Sequence, residues 1–428
     1  MPPQNAETDV NPREVYLLQT LGLEHDPFAY ATAELELQIN SDDPPFLTYF
    51  VDLPVAEGEG SLLEAIKKPG HAVVYGEAGS GKTTLRYALE AQCRGLAEPV
   101  LVVSHELGKG GGETAVPSLQ TFTQALATDL FVQTIEKFDT FPAPPDAHLT
   151  KALSSYWQQN IPNFHRNLAR HLRQGQSPHM PTSISPWWRT WKRVVVRYIP
   201  LTKARKQFLE QVLAWQEKRE KVGVDTAVTD KTTLKQGGSL AKQLGYQQLY
   251  YLIDAADTPE LNISTLLNHL NQINDILPDI SSQIPLSLKL FLPQRIQTKL
   301  QTFLSQPENQ LIFPSFSAII NWNYSLLHVL IENRFRSAGS WIRGIEVLAS
   351  QESPVNLESE LILSAQQSPR RLLQILSLLI DTHANRTAIE PTITNSDLQK
   401  TFQVWSDNTP SLPSLIVDNV INEGMLYA

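Results

Sequence analysis

The chain has 428 residues, of which 42% are hydrophobic, 18% are charged and one, Cys93, is a cysteine. That length allows two or three domains with sizeable cores, and the formal net charge of −9 argues against a surface built throughout for nucleic acid or acidic membranes. A single cysteine excludes an internal disulfide and a multi-thiolate metal site, and it suits a reducing, cytoplasmic setting.

The opening MPPQNAETDVNPREV has no basic stretch followed by an apolar one, so it does not read as a secretory signal. The most apolar later run, residues 372–380, is too short to span a bilayer, so no membrane association is expected. Pro69 and Gly70 mark a turn, and the short, apolar, partly β-branched residues 71–75 predict a strand. Next comes GEAGSGKT, which fits G-x-x-x-x-G-K-[ST]. The sequence TTLRYALEAQC then predicts a helix with Leu85, Ala88 and Leu89 on one side.

Strand, glycine-rich loop and helix in that order make a phosphate cradle. Glycines let successive backbone N–H groups curl around an anion, and the helix N-terminus adds unpaired donors and a favourable dipole. On this reading Gly76, Glu77, Ala78, Gly79, Ser80, Gly81, Lys82 and Thr83 hold a nucleoside triphosphate. Lys82 reaches the β- and γ-phosphates, and the Thr83 hydroxyl ligates Mg²⁺. The competing reading is a chance Gly/Ser turn.

Residues 99–105 predict a second strand and complete a βαβ pattern. The stretch 111–240 that follows is far longer than an ordinary connection. It opens with GKGGGE and holds predicted helices at 119–137, 149–158, 164–173 and 201–220, broken by FPAPPDAH and SPHMPTSISP. This reads as a helical insertion. Residues 147–209 lack any acid, while Arg166, Lys192, Arg193, Arg197 and Lys206 interleave with Trp187, Trp188 and Trp191. The basic segment 166–206 has three readings: a single-stranded nucleic-acid surface, a surface for an acidic protein or a second copy of this chain, or tryptophan anchors with solvated bases.

The apolar, aromatic residues 249–253 predict a buried parallel strand, and Asp254 ends it. A carboxylate at a buried strand end needs a cation or donors, so Asp254 either supports Mg²⁺ or caps the next turn. Asp257 either orients the attacking water or is a turn residue before Pro259, and Glu260 lies further from the strand end. Residues 286–292 predict a fourth strand, stopped by Pro293. Gln294 and Arg295 follow, either as γ-phosphate sensors or as a surface pair. Beyond residue 337, predicted helices at 357–365, 370–381 and 396–405 suit a small helical lid.

The loop Gly76–Thr83 together with LYYLIDAAD resembles the P-loop ATPases that include the AAA+ proteins and the STAND signalling NTPases. In the latter the Mg²⁺ strand often ends in D-x-x-D-E. Asp254 and Asp257 match the two aspartates, and Thr258 stands where the glutamate is expected. The segment FSAIINWNYSLLHVLIENRFR, residues 316–336, is similar to the helix leading into the lid of origin-initiator-like members. SPRRLLQILSLLIDTH resembles their lid helix, where Arg370 matches an arginine that approaches the γ-phosphate. LGLEHDPFAYATAELE is similar to the segment that crosses the adenine pocket.

The resemblance implies an α/β fold: a P-loop NTPase parallel sheet with a helical insertion and a C-terminal helical lid. The expected divisions are an N-terminal segment 1–50 bordering the nucleotide site, a first part of the core 51–110, the insertion 111–240, a second part of the core 241–336, and a lid and tail 337–428. The expected ligands are ATP and Mg²⁺, with Asp257, Arg295 and Arg370 as catalytic candidates and Thr83 and Asp254 at the metal. The expected activity is that of an ATP-binding and ATP-hydrolysing switch or motor that self-assembles. The alternatives are a nucleotide-stabilised scaffold for a protein partner, with little turnover, and a nucleic-acid loader.

Overall fold

The computed structural model describes residues 11–33, 36, 47–55, 60–95, 97–107, 119–141, 143–174, 202–215, 226–255, 263–339, 342–350 and 356–408. The chain divides into two compact units. One comprises Ala33–Leu47 and Asp52–Asn321, the other Met1–Thr32, Thr48–Val51 and Trp322–Ala428.

The first unit is built on five parallel strands: β1 Ala72–Gly76, β2 Val100–Leu107, β3 Gln248–Ala255, β4 Leu286–Pro293 and β5 Phe316–Ile319. They lie in the order β2-β3-β4-β1-β5. The residues of β1 and β4 are buried throughout, as a sheet covered on both faces requires. The row Val74, Phe291, Asp254, Glu106 runs in register across β1, β4, β3 and β2.

The Pro69–Gly70 turn is fixed from below. Lys289 Nζ donates to Lys68 O at 2.6 Å and Gly70 O at 2.7 Å, and Tyr250 Oη donates to Lys67 O at 2.6 Å. Burial pushes the Lys289 pKa down to about 8.

The helices of this unit are α1 Leu62–Lys67, α2 Lys82–Cys93, α3 Leu119–Glu136, α4 Ala147–Asn160, α5 Phe164–Gln174, α6 Lys203–Ala214, α7 Thr226–Gln243, α8 Ile263–Ser281 and α9 Gln297–Leu304. The described insertion helices join the sheet's own hydrophobic cluster. Phe122 and Leu126 of α3, Trp157 of α4 and Phe208 of α6 share it with Val103, Tyr251 and Leu290.

The outer edge of β2 is closed by polar side chains of α3. Gln133 mimics a neighbouring strand, accepting from Val102 N at 3.1 Å and donating to Val102 O at 2.6 Å. Asp129 accepts from Ser104 N at 3.1 Å. An edge covered in this way offers no template for another strand.

Residues 316–336 are not one helix. Phe316–Ile319 pairs with β1, and α10, Tyr324–Ser337, starts after a break. Asn323 caps α10 by accepting from Leu326 N at 2.9 Å. Pairing with the open side of β1 takes Phe316–Ile319, so the expected resemblance to one helix over 316–336 does not hold for its first residues.

The second unit holds α10 with α11 Leu357–Ser364, α12 Pro369–Arg386 and α13 Asn395–Asn408. The N-terminal residues 11–32 pack in this unit. Arg13 bridges Asp26 at 2.6 Å and Asp381 at 2.8 Å, and Tyr16 Oη donates to Pro391 O at 3.0 Å. In this unit α12 is tied to α13 through Asp397, which bonds Arg386 at 2.6 Å and His383 at 2.9 Å. Burial works against ionisation of Asp397. Hydrogen bonds from Arg386, His383 and Thr394 outweigh it and hold the carboxyl well below the usual range.

Candidate nucleotide-binding site

The loop between β1 and α2 needs its glycines. Gly79 and Gly81 have φ of 78° and 92°, a left-handed region costly for residues with a Cβ. Gly76 is extended but crowded: a Cβ there would lie 2.4 Å from Ser80 Oγ and 3.3 Å from both Ile320 Cβ and Lys82 Cγ. Lys82 is buried at 4% exposure, and its Nζ donates to Gly76 O and Glu77 O, both at 2.9 Å. The lysine therefore lies across the loop rather than in solvent. Helix α2 begins at Lys82 with Gly81 as its N-cap and no side-chain cap. Thr83 is half-buried in that first turn.

The sheet order separates β1 from β3 by β4. The turn that follows β4, Gln294–Ile296, carries Arg295 on an exposed position beside the loop strand, since Pro293 is in register with Gly76. Asp254 is 4% exposed near the end of β3. It meets Arg86, one helical turn beyond Lys82, whose Nε donates to Asp254 Oδ2 at 3.1 Å.

Arg86 is the centre of a buried charge cluster. Its Nη2 donates to Glu106 Oε1 at 2.7 Å and its Nη1 to Glu90 Oε2 at 3.2 Å. Burial alone would lower the Arg86 pKa. Tyr87, Asp254, Glu106 and Glu90 together raise it, so the guanidinium stays charged. Glu90 is shared with Arg94 at 3.2 Å, and Arg94 reaches Glu136 of α3 at 2.7 Å. A chain of ion pairs thus runs from Asp254 along α2 to the insertion. Burial pushes Asp129, beside this chain, up to about 8, against the opposing pull of Arg94.

Sequence reading missed Arg86, Glu90, Glu106 and Arg94. The spacing of Arg86, Glu90 and Arg94 at i, i+4 and i+8 was the available signal. It marks one stripe of α2 as charged, yet all three residues face inward.

Arg370 is the exposed second residue of α12, in the helical unit. Arg334 is buried. It donates to Pro27 O at 2.8 Å and Tyr30 O at 3.2 Å and stacks over Tyr49 at 3.9 Å. Arg336 pairs with Glu332 at 2.7 Å. Asp257, Thr258 and Glu260 lie outside the described residues, as do Trp187, Trp188, Trp191, Lys192, Arg193 and Arg197. Of the described bases near the insertion, Arg205 is buried and pairs with Asp139 at 3.0 Å.

Among the described residues no group of three His, Cys, Asp or Glu side chains could hold a metal by itself. Among the described residues no helix is long and apolar enough to cross a membrane.

A five-stranded parallel sheet flanked by helices, with a glycine loop leading from β1 into α2, defines a P-loop-type α/β protein with a C-terminal helical region. No protein-family model matches the chain, and no curated protein matches it.

Proposed function

We propose that the protein is an ATP-binding switch or motor of the AAA+/STAND type that uses Mg²⁺. The observation that carries this reading is the loop. Gly76, Gly79 and Gly81 adopt a conformation and packing that side chains oppose, and Lys82 is buried across it. Backbone amides at the start of α2 and the Lys82 ammonium are the donors for the phosphates. Thr83 supplies a hydroxyl to the metal, and Asp254 holds its water shell. The metal neutralises charge on the transferred phosphoryl group when bound.

Arg295, in the turn after β4, is the first candidate to answer to the terminal phosphate. Arg370 at the start of α12 is the second candidate, supplied by the helical unit. Nucleotide binding then closes that unit as a lid and promotes self-assembly in the cytoplasm. The scaffold alternative rests on Thr258 in place of an acid.

ATP with Mg²⁺ should raise the melting temperature by mass action. At a hundredfold excess over Kd the stabilisation is about 2.7 kcal/mol, several degrees for a protein of this size. An unchanged melting curve at millimolar ATP and Mg²⁺ contradicts the reading.

A further inference from the structure

Glu106 has no role in the reading given so far, yet it stands beside Asp254. The two are register partners on neighbouring parallel strands, so their side chains leave the same face of the sheet. That face is the one α2 covers, because Arg86 of α2 bonds both, at 3.1 Å to Asp254 and 2.7 Å to Glu106. Arg86 follows Lys82 by four residues and Thr83 by three, so all three lie on one side of the helix. The guanidinium therefore holds two carboxylates within about a turn of the loop that receives the phosphates.

The two acids differ in access. The Asp254 side chain is 5% exposed and that of Glu106 is 10%, at the strand end where β2 opens toward the ligand side. Tyr87 Oη also donates to Glu106 Oε1 at 3.3 Å, which fixes the same oxygen that Arg86 holds. Each nitrogen of the Arg86 guanidinium carries one carboxylate, Glu90 at 3.2 Å, Asp254 at 3.1 Å and Glu106 at 2.7 Å, and Glu90 is shared with Arg94, so negative charge gathers next to the proposed phosphate site. The position after Asp257 that resembles a base is filled by Thr258, which has no carboxylate.

We infer that Glu106 is the catalytic carboxylate that orients the attacking water and takes its proton. The inference rests on the proposed ATP site. The water oxygen forms a bond to the γ-phosphorus, the bond from that phosphorus to the β–γ bridging oxygen breaks, ADP leaves with the electron pair, and the water proton passes to Glu106. Arg86 and Tyr87 are positioning residues: they hold one oxygen of the carboxylate and set its direction. Asp254 remains with the metal shell, so neighbouring strands divide the two tasks.

Three proteins decide this: wild type, Glu106→Gln and Glu106→Asp. Each is titrated with a fluorescent nonhydrolysable ATP analogue and Mg²⁺, and each is assayed for phosphate release across pH. The expected result is analogue affinity within threefold of wild type, with kcat lower by about 10²–10⁴-fold in Glu106→Gln. Its pH profile should also lose the limb that reports the base. Glu106→Asp, shorter by one methylene, should bind equally and turn over slowly.

If Glu106→Gln does not bind the analogue because it fails to fold, the aspartate variant is judged by the same criteria. A variant that binds normally and retains kcat within threefold overturns the assignment. So does a wild type that binds the analogue but releases no phosphate, and in that case the binding reading still stands. A wild type that does not bind the analogue overturns both.

Discussion

Gly76 leaves no room for a methyl group, because Ser80 Oγ, Ile320 and Lys82 already fill the space. Gly76→Ala should therefore distort the loop while the sheet around it persists. The expected result is a loss of ATP affinity of tenfold or more, since even about 1.4 kcal/mol of misplacement costs that much, with little change in far-ultraviolet circular dichroism. Normal affinity in the alanine variant would show that the loop's packing is not tuned for phosphate. The loop's glycines were legible in the sequence because they stand at fixed spacing between a predicted strand and a predicted helix. Glu106 was not legible. Its significance comes from a register with Asp254 across 148 positions of chain, and no local spacing encodes that pairing.

At the scale of elements, the strands were readable where apolar β-branched runs stand between turn signals, as at Val73, Val74, Val102 and Val103. Helix α7 was not, because Gly237 and Gly238 sit inside it and read as breakers. The structure explains one of them by packing. A Cβ on Gly237 would lie 2.3 Å from Tyr156 Oη and 2.9 Å from Leu126 Cδ2, so the glycine lets α7 approach α3 and α4 closely. The strand β5 was missed because the resemblance makes residues 316–336 one helix, whereas Phe316–Ile319 pairs with β1.

The contact between α3 and β2 makes a pH prediction. Asp129 has a folded pKa of about 8, raised by burial above the usual carboxylate value. The folded state therefore binds more protons than the unfolded one between about pH 4 and pH 8, and this group makes stability fall as pH rises through that window. Asp129→Asn keeps an acceptor for Ser104 N–H and removes the titration. In urea unfolding, the variant should gain on wild type by about 1 kcal/mol or more between pH 5 and pH 8. An equal difference at both pH values would mean that Asp129 is already ionised in the fold.

For the whole molecule, the chain passes between its two units near residues 32, 47, 51 and 321. The N-terminal segment belongs with the helices beyond residue 322, a grouping that no linear reading of domain order supplies. Asp397 and its partners Arg386 and His383 keep α12 and α13 together within that unit. If nucleotide closes the lid through Arg370 or Arg295, a nonhydrolysable ATP analogue should slow amide exchange within residues 337–405. Unchanged exchange there, with protection confined to the loop and β1, would separate binding from lid motion.

The central claim is that the buried lysine of the loop serves a nucleotide phosphate. Direct titration of wild type and Lys82→Ala with ATP and Mg²⁺, at matched folding by thermal melt, tests it. Losing charge-assisted hydrogen bonds worth roughly 1.5–3 kcal/mol predicts Kd higher by about 10- to 100-fold in the variant. Equal affinities in two folded proteins, or no ATP binding by wild type, would contradict the account.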